Sequence, residues 1–559
     1  MKIVIVGGVA GGASAAARAR RLDESAEIVV LERGPDVSFA NCGMPYYAGG
    51  VIRSRQSLIV TTAEHLRQRF ALDVRTRSEA IAIDRAACTV RVRDLEAGRE
   101  YDESYDRLLL APGAAPLRPQ IPGLDLPGIH TLRTLQDIDR IKAAIDAGAK
   151  RAVVVGAGFI GLELAENLVH RGVATTIVEL QEQVLPPLDR EMTAPILETL
   201  ARNKVDVILA DSAAAFVQTP DGLEVVLASG TRLSADVVLL GIGVRPESGL
   251  AAAAGLEVGP RGGIRVDAGM QTSDPHIWAV GDAVEVADGV FGSPTQIPLA
   301  GPANRQGRLA ADGMCGRPGH YRGSQGTSVV GVFKTTAACT GCSEKLLRQA
   351  GRDYRTVFVH PANHAGYFPG AEPMSLKLLF DPTDGRVLGA QAVGGAGVDK
   401  RIDVLAVAIQ ARMTVFDLEQ MELCYAPQYG SAKDAVNMAG FVAAGLLRGD
   451  HPQEDWATVL GLDAAAADQP LLLDVRTEDE FLCGEVPGAM NIPLDELRGR
   501  LAELPRDRRI LCYCQVGQRG YYATRILLQH GFDTANLGGG YKTYRMHMAT
   551  TAATTLACR

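Results

Sequence analysis

The first apolar run, KIVIV at 2–6, is short and unbroken, as in a strand buried on both faces. Gly7, Gly8, Gly11 and Gly12 follow at once, and an Ala- and Arg-rich stretch then predicts a helix from about Ala13 to Leu22. A second run, EIVVL at 27–31, ends at Glu32. The same order of events recurs downstream. RAVVV at 151–155 leads into Gly156-Ala157-Gly158-Phe159-Ile160-Gly161 and a helix, and ATTIV at 174–178 ends at Glu179. Strand, glycine turn, helix, strand, acid is the layout of a dinucleotide-binding unit. N–H groups at the helix start hold a pyrophosphate, and the carboxylate accepts from ribose hydroxyls. A single motif of this kind is a weak signal; two, with the acid 20 and 18 residues after the last glycine, are a strong one.

The segment TSDPHIWAVGD at 272–282 predicts a turn, a short strand and an Asp after a glycine. Between 325 and 445 strand-like segments alternate around one long helix candidate, 398–412, with no phosphate loop. RGDHPQED at 448–455 reads as a polar linker. Beyond it LLLDV at 471–475, RRILCY at 508–513 and a helix from about Gly520 predict a small α/β module.

Composition narrows the function classes. A chain of 559 residues, 47% apolar and 22% charged, is globular and multidomain, which excludes wholesale disorder. Its 61 glycines and only 5% aromatics suit α/β domains with tight phosphate turns. A net charge of −8 argues against binding nucleic acid or clamping an anionic membrane. Ten cysteines are too sparse for a disulfide scaffold. The N-terminal apolar run is broken by glycines and followed by an Arg-rich helix, unlike a signal peptide, and no transmembrane helix is expected. The expectation is a cytoplasmic protein with reduced thiols.

Candidate chemistry gathers at a few residues. In the first turn Val9 stands where a middle glycine is usual, which leaves a packing turn open as the plain alternative. Glu179 is followed by Leu180 and Gln181, with no Arg to neutralise a 2′-phosphate, so NADH is expected over NADPH. Cys42, in SFANCGMPY at 38–46, is expected early in a helix, with its thiolate stabilised there. Dithiol flavoprotein reductases carry a second Cys five residues later; here that residue is Tyr47. Ser14, Arg18 and Arg21 share one helix face, which on its own reads as a solvated basic face. Cys514 precedes Gln515-Val516-Gly517-Gln518-Arg519-Gly520 at a strand-to-helix loop, which could turn several N–H groups toward the sulfur. Cys339 and Cys342 have C-x-x-C spacing but no companion ligands, which points to a turn rather than zinc. Cys512 is a candidate resolving thiol that carries little weight, and Cys558 reads as incidental.

With these residues in view, the chain over about 1–445 resembles the coenzyme A-disulfide reductase group of flavoproteins, in which Val9 is a family feature. The match rests on Gly7-Gly8-Val9-Ala10-Gly11-Gly12, Ser38-Phe39-Ala40-Asn41-Cys42-Gly43, the second glycine motif and Tyr425-Ala426-Pro427. The C-terminal module resembles rhodanese, with Asp474-Val475-Arg476 and Val486-Pro487-Gly488-Ala489 also fitting. Glu485 stands where His is usual, and Gln515 where Arg is common, so anionic thiosulfate is expected to bind less well than neutral or protein-bound donors. The whole resembles the reductase–rhodanese fusions, which include NADH-dependent persulfide reductases.

That resemblance implies an α/β fold. An FAD domain is split between 1–113 and 245–322 around an NAD(H) domain at 114–244, with an α+β dimerisation domain at 323–446. A linker at 447–458 and a rhodanese domain at 459–559 follow. It implies FAD and NAD(H) contacts from Gly7, Gly8, Ala10, Gly11, Gly12, Glu32, Arg33, Asn41, Ala111, Gly113, Gly156, Gly158, Ile160, Gly161, Glu179, Gly243, Asp282, Pro298 and Ala300. Coenzyme A falls to Ser14, Arg18, Arg21, Ser38, Asn41, Asn304 and Lys433. Catalysis falls to Cys42 and Cys514, with Tyr367 and Tyr425 reaching Cys42 from the partner subunit of a homodimer. The expected activity is NADH-dependent reduction of persulfide, polysulfide or coenzyme A disulfide, from small-molecule or protein-bound donors. In that cycle electrons pass from NADH through FAD to a disulfide between Cys42 and coenzyme A. The thiolate of either then attacks sulfane sulfur and hydrosulfide leaves. The alternative is an NADH peroxidase or oxidase cycling through a Cys42 sulfenic acid. Related peroxidases carry a His where this chain has Ala10, which removes their acid/base group.

Overall fold

The computed structural model describes residues 1–462 and 469–557, without the side chains of 552–557. Cys558 lies outside the described residues. Two compact units emerge, one of 1–178 with 211–326 and one of 179–210 with 327–559.

The first unit is built on two parallel sheets. One runs in the order 277–279, 107–110, 2–6, 27–31, 73–75, every neighbour parallel. Ile3, Val4 and Ile5 are wholly buried at its centre, as the unbroken apolar run requires. The strand returning at Ile277–Ala279 lies beside Arg107–Leu110, so the chain re-enters this sheet after a long excursion. In the other sheet, 174–178, 151–155, 237–240 and 129–131 pair in parallel. The helices that follow the two glycine turns span Ala10–Leu22 and Phe159–His170, the first starting three residues earlier than its composition suggests.

The second unit holds a five-stranded antiparallel sheet in the order 328–332, 335–341, 387–394, 374–380, 355–359. Helices Val398–Gln410 and Ala435–Arg448 accompany it. The C-terminal module has its own parallel sheet, ordered 453–454, 534–537, 510–513, 471–474, 490–491. The segment expected as a linker is folded. Gln453–Glu454 is the edge strand of that sheet, and Trp456, 1% exposed, packs on Tyr513 and Tyr544. The polar letters of 448–455 hide a buried ring, His451, which with the adjoining Trp456 fastens the stretch to the module. Thr356 donates to Asp455 at 3.1 Å and accepts from Gln453 at its carbonyl, also at 3.1 Å, so the module is seated on the antiparallel sheet. Among the described residues no helix is long and apolar enough to cross a membrane.

Candidate functional site: two thiols and two glycine turns

Each glycine turn is forced by close backbone approach. Gly7 has φ +98°, and a Cβ there would sit 2.1 Å from the Ala111 carbonyl oxygen. Gly156 repeats this with φ +103° and 2.4 Å to Gly241 O. Neither following helix has a side-chain cap, at Val9 or at Gly158, so their first N–H groups lack the usual internal acceptor. A Cβ on Gly158 would meet nothing within 4 Å. Uncapped donors facing open space are what an incoming pyrophosphate needs, and the residues fit the dinucleotides expected.

Glu32 accepts from Gly8 N at 2.8 Å and Gly34 N at 2.7 Å, which fixes its carboxylate at the end of the second strand. Asp282 sits in the turn Gly281–Ala283, tied to helix Ala300–Met314 through Gly281 N and Gln306 Oε1 at 2.8 Å. Burial pushes the Asp282 carboxyl up, and the Arg133 guanidinium opposes this. Arg133 is the residue that motif reasoning missed. Its Nη2 donates to Pro112 O at 3.0 Å and Glu247 at 3.2 Å, and burial lowers its guanidinium while Glu247, Glu32 and Asp282 hold its charge. Its charge is felt by Glu32 and Asp282, the two acids expected at the flavin nucleotide. No local signal in Leu132-Arg133-Thr134 marks it, because only the fold joins these positions. Arg33, expected to contact cofactor, is paired with Glu247 at 2.8 Å.

Cys42 lies in a single 3-10 turn, Asn41–Gly43, ahead of a five-residue helix, Met44–Ala48. The thiol thus stands early in a short helical stretch, as expected, with a 3-10 first turn. The thiol is exposed on one side. Protein crowding on the other pushes it up, and the Glu163 and Asp282 carboxylates add to that. Burial first, and then these two carboxylates, thus oppose the stabilised thiolate that was expected. Glu163 belongs to the helix after the second glycine turn and accepts from Tyr46 Oη at 3.1 Å; burial raises its own carboxyl. Gly49 fits the same helix closely, since a Cβ there would strike Asn167 at 2.0 Å. None of the nine described cysteines is in a disulfide, and the Tyr47 ring lies 5.5 Å from Lys142 Nζ.

Of the residues expected at coenzyme A, Ser14 and Asn304 are brought together, Ser14 Oγ donating to Asn304 Oδ1 at 2.5 Å. Arg18 is paired with Asp312 at 2.7 Å, while Arg21 is exposed one turn on. Ser38 has φ +46° and bonds Gly8 O through its N–H at 2.9 Å, and Asn41 Nδ2 reaches Arg133 O at 3.5 Å. In the second unit, Tyr367 and Tyr425 hydrogen-bond each other through their hydroxyls at 2.7 Å and are 76% and 49% exposed. Lys433 is exposed in that unit. Glu179 is buried, and its Oε1 accepts from Gln181 N at 2.9 Å.

The C-terminal thiol is a different kind of site. Cys514 is wholly buried, and Gly517 N donates to its Sγ at 3.2 Å. One such N–H is found, not several. Arg519, on the first turn of helix Gln518–Gln529, makes up the difference. Glu480 pairs with it at 2.7 Å and, with Cys514, holds its guanidinium charged. A cation thus stands four residues after Gln515, with its charge paired to Glu480. Arg476 forks onto Asp474, both buried, and stacks 4.1 Å over Tyr541 as scaffold beside the loop. Cys512 is buried against Thr534 Oγ1 at 3.5 Å, and burial pushes it up to about 11, which disfavours its thiolate. Cys339 and Cys342 are both buried and outside any disulfide, the first in strand Thr335–Gly341 and the second just beyond it.

Comparison with known proteins agrees with this arrangement. The pyridine nucleotide-disulphide oxidoreductase family model matches residues 1–307, its dimerisation domain matches 327–435, and a rhodanese-like domain matches 461–547. The structure of reduced Bacillus anthracis CoADR-RHD is 47% identical with a TM-score of 0.95, covering 98% of each chain. A NAD-dependent persulfide reductase from A. fulgidus is 38% identical with a TM-score of 0.91, covering 97% of this chain and 100% of its own. Coenzyme A disulfide reductase of Staphylococcus haemolyticus is 36% identical over 447 residues, 80% of this chain and 100% of its own. FAD and NAD(P)H are the cofactors of such enzymes. The chain belongs to the pyridine nucleotide-disulphide oxidoreductase family and carries a C-terminal rhodanese domain.

Proposed function

We propose that this enzyme uses NADH to reduce persulfides, polysulfides or coenzyme A disulfide, with Cys42 as its single redox thiol and coenzyme A as the second sulfur. One observation carries this reading: Cys42 is free, and Tyr47 occupies the place of a partner thiol. FAD and NADH, when bound, supply the two electrons. Gly7, Gly8, Gly11 and Gly12 with Glu32, Arg133 and Asp282 would hold the flavin nucleotide; Gly156, Gly158, Gly161 and Glu179 would hold NADH. Ser14, Arg21 and Asn304 would take the coenzyme, with Arg18 sharing its charge with Asp312.

The Cys42 thiolate attacks the carbon-bound sulfur of a coenzyme A persulfide. A Cys42–coenzyme A disulfide forms, and hydrosulfide leaves with the electron pair of the broken sulfur–sulfur bond. Two electrons and one proton then return this disulfide to thiolate and thiol. Tyr367 and Tyr425 of a homodimer partner would donate to the departing sulfur. Cys514 would carry sulfane sulfur from bulkier donors, with Arg519 beside it. The peroxidase alternative gains nothing from a second sulfur site.

Steady-state rates on coenzyme A disulfide, coenzyme A persulfide, glutathione persulfide and inorganic polysulfide, each with NADH and NADPH, test the reading. A persulfide or coenzyme A disulfide should have the largest kcat/KM, and NADH should exceed NADPH, whose 2′-phosphate meets the Glu179 carboxylate. Peroxide turnover exceeding all four would overturn it.

A further inference from the structure

The segment 179–210 begins at the acid expected to hold the NADH ribose, yet it packs with the dimerisation and rhodanese domains. Its anchoring is extensive. Lys377, 0% exposed in strand Met374–Phe380, meets Asp189 at 2.8 Å, Glu191 at 2.5 Å and Glu344. Three carboxylates around one buried ammonium look like a metal site by composition, but the lysine fills it. Asp189 N donates to Gln391 Oε1 and Gln391 Nε2 to Asp189 Oδ2, both at 2.7 Å. Glu344 N adds 3.0 Å to Asp189 Oδ1, and Thr199 meets Thr335 at 2.6 Å.

The last helix of the rhodanese domain, Gly540–Ala557, packs on this same segment, against Arg190–Thr193 and Ala194–Arg202. Arg190 Nη2 donates to Thr550 O at 3.3 Å. Burial lowers the half-buried His547 and Lys542 on this helix, against the pull of Glu191 and Glu344 on the first and of Glu198 on the second. The helix starts on the sulfur loop. Tyr541 N donates to Cys514 O at 2.7 Å, and a Cβ on Gly540 would strike that oxygen at 2.2 Å. One helix therefore touches the Cys514 loop at one end and the segment that begins at Glu179 along its length.

We infer that the terminal rhodanese helix is a positioning element for NADH, holding the 179–210 segment so that Glu179 presents its carboxylate to the ribose. This rests on the proposed role of Glu179. The rhodanese domain then serves the reductase even when no sulfur passes through Cys514. His547 and Lys542 are positioning residues here, carried on the helix that packs against Arg190–Thr193 and Ala194–Arg202.

The test uses full-length, flavin-loaded enzyme. His547→Ala and Lys542→Met should each raise the KM and Kd for NADH about threefold to tenfold. The kcat on a persulfide and the thiosulfate-dependent sulfurtransferase rate should stay within twofold. His547→Gln, which keeps a hydrogen-bonding side chain, should restore most of the NADH affinity. Glu179→Gln is the control for the underlying assignment, and should weaken NADH at least as much. If Glu179→Gln weakens NADH while both helix variants bind it as wild type does, the positioning role is wrong. If Glu179→Gln leaves NADH binding unchanged, the ribose assignment fails instead. A parallel fall of kcat, sulfurtransferase rate and melting temperature in both variants would also overturn the inference, since it marks general loosening.

Discussion

The two thiols proposed to react, Cys42 and Cys514, sit in opposite surroundings. Cys514 is wholly buried in a finished pocket, with Gly517 N–H on its sulfur and Arg519 braced by Glu480. Cys42 is exposed, flanked by the Glu163 and Asp282 carboxylates, and raised rather than lowered as a thiol. The first site needs only its donor. In the proposed reading the second acquires its working electrostatics only when cofactor, coenzyme and partner tyrosines surround it, because burial and two carboxylates beside a thiol oppose the thiolate.

The largest effect should come from removing the exposed thiol. Cys42→Ser should keep yellow FAD and its reduction by NADH, yet lose persulfide reduction by about 10³-fold or more, about 4 kcal/mol of transition-state stabilisation. Position 47 offers no replacement sulfur. Hydrosulfide release at a wild-type rate from this variant would place the chemistry elsewhere. Removing the buried thiol should divide the activities instead. Cys514→Ala should abolish sulfurtransferase turnover while small persulfides are still reduced within about twofold. Loss of both together would erase the contrast between the two sites.

A smaller effect sharpens the account of the finished pocket. Arg519→Ala removes the cation beside Cys514 and leaves Glu480 unpaired. The thiosulfate-dependent rate should fall about 10- to 100-fold, the range expected for one charged donor at a developing anion. Arg519→Lys should recover only part, since a point charge cannot keep the fork to Glu480. An unchanged rate in Arg519→Ala would return the site to backbone N–H groups alone.

What could be read from the sequence divides along the same line. The glycine turns, their strands and acids, and the Cys514 loop are local patterns, where a buried run of five and a glycine with no room for Cβ leave few alternatives. Features assembled from distant residues were hidden. Lys377 sits in MSLKLLF, where one cation interrupts an apolar strand, and its partners come from 189, 191 and 344. Arg133 reaches the flavin acids only through the fold, and the carboxylates that raise Cys42 stand at 163 and 282. The polar run at 448–455 misled for a related reason: composition cannot show that His451 and the nearby Trp456 are buried.

The smallest effect concerns the seat of the rhodanese domain on the antiparallel sheet. His360 lies between Ser375 Oγ at 2.9 Å and Thr543 Oγ1 at 2.8 Å, the latter on the terminal helix. Burial pushes its pKa down to about 3, and Lys542 adds to this. In the unfolded chain the same imidazole takes a proton near pH 6.5. Below that value the unfolded state binds one more proton than the folded state. The stability contributed by neutral His360 is thus fully present above about pH 6.5 and is lost as pH falls toward 3. One such group tilts stability by at most about 1.4 kcal/mol per pH unit. His360→Gln keeps an amide for the two hydroxyls and does not titrate. Between pH 7 and 5, hydrogen exchange in the backbone of Gly540–Thr550 should accelerate in wild type by about tenfold more than in this variant, after correction for intrinsic rates. His451, pushed down to about 4, adds an acid-sensitive background common to both proteins. Identical pH dependence in the two would mean that the seat opens without exposing His360, and that the rhodanese domain is held mainly by its other contacts, Thr356 with Asp455 and Trp456 with its aromatic neighbours.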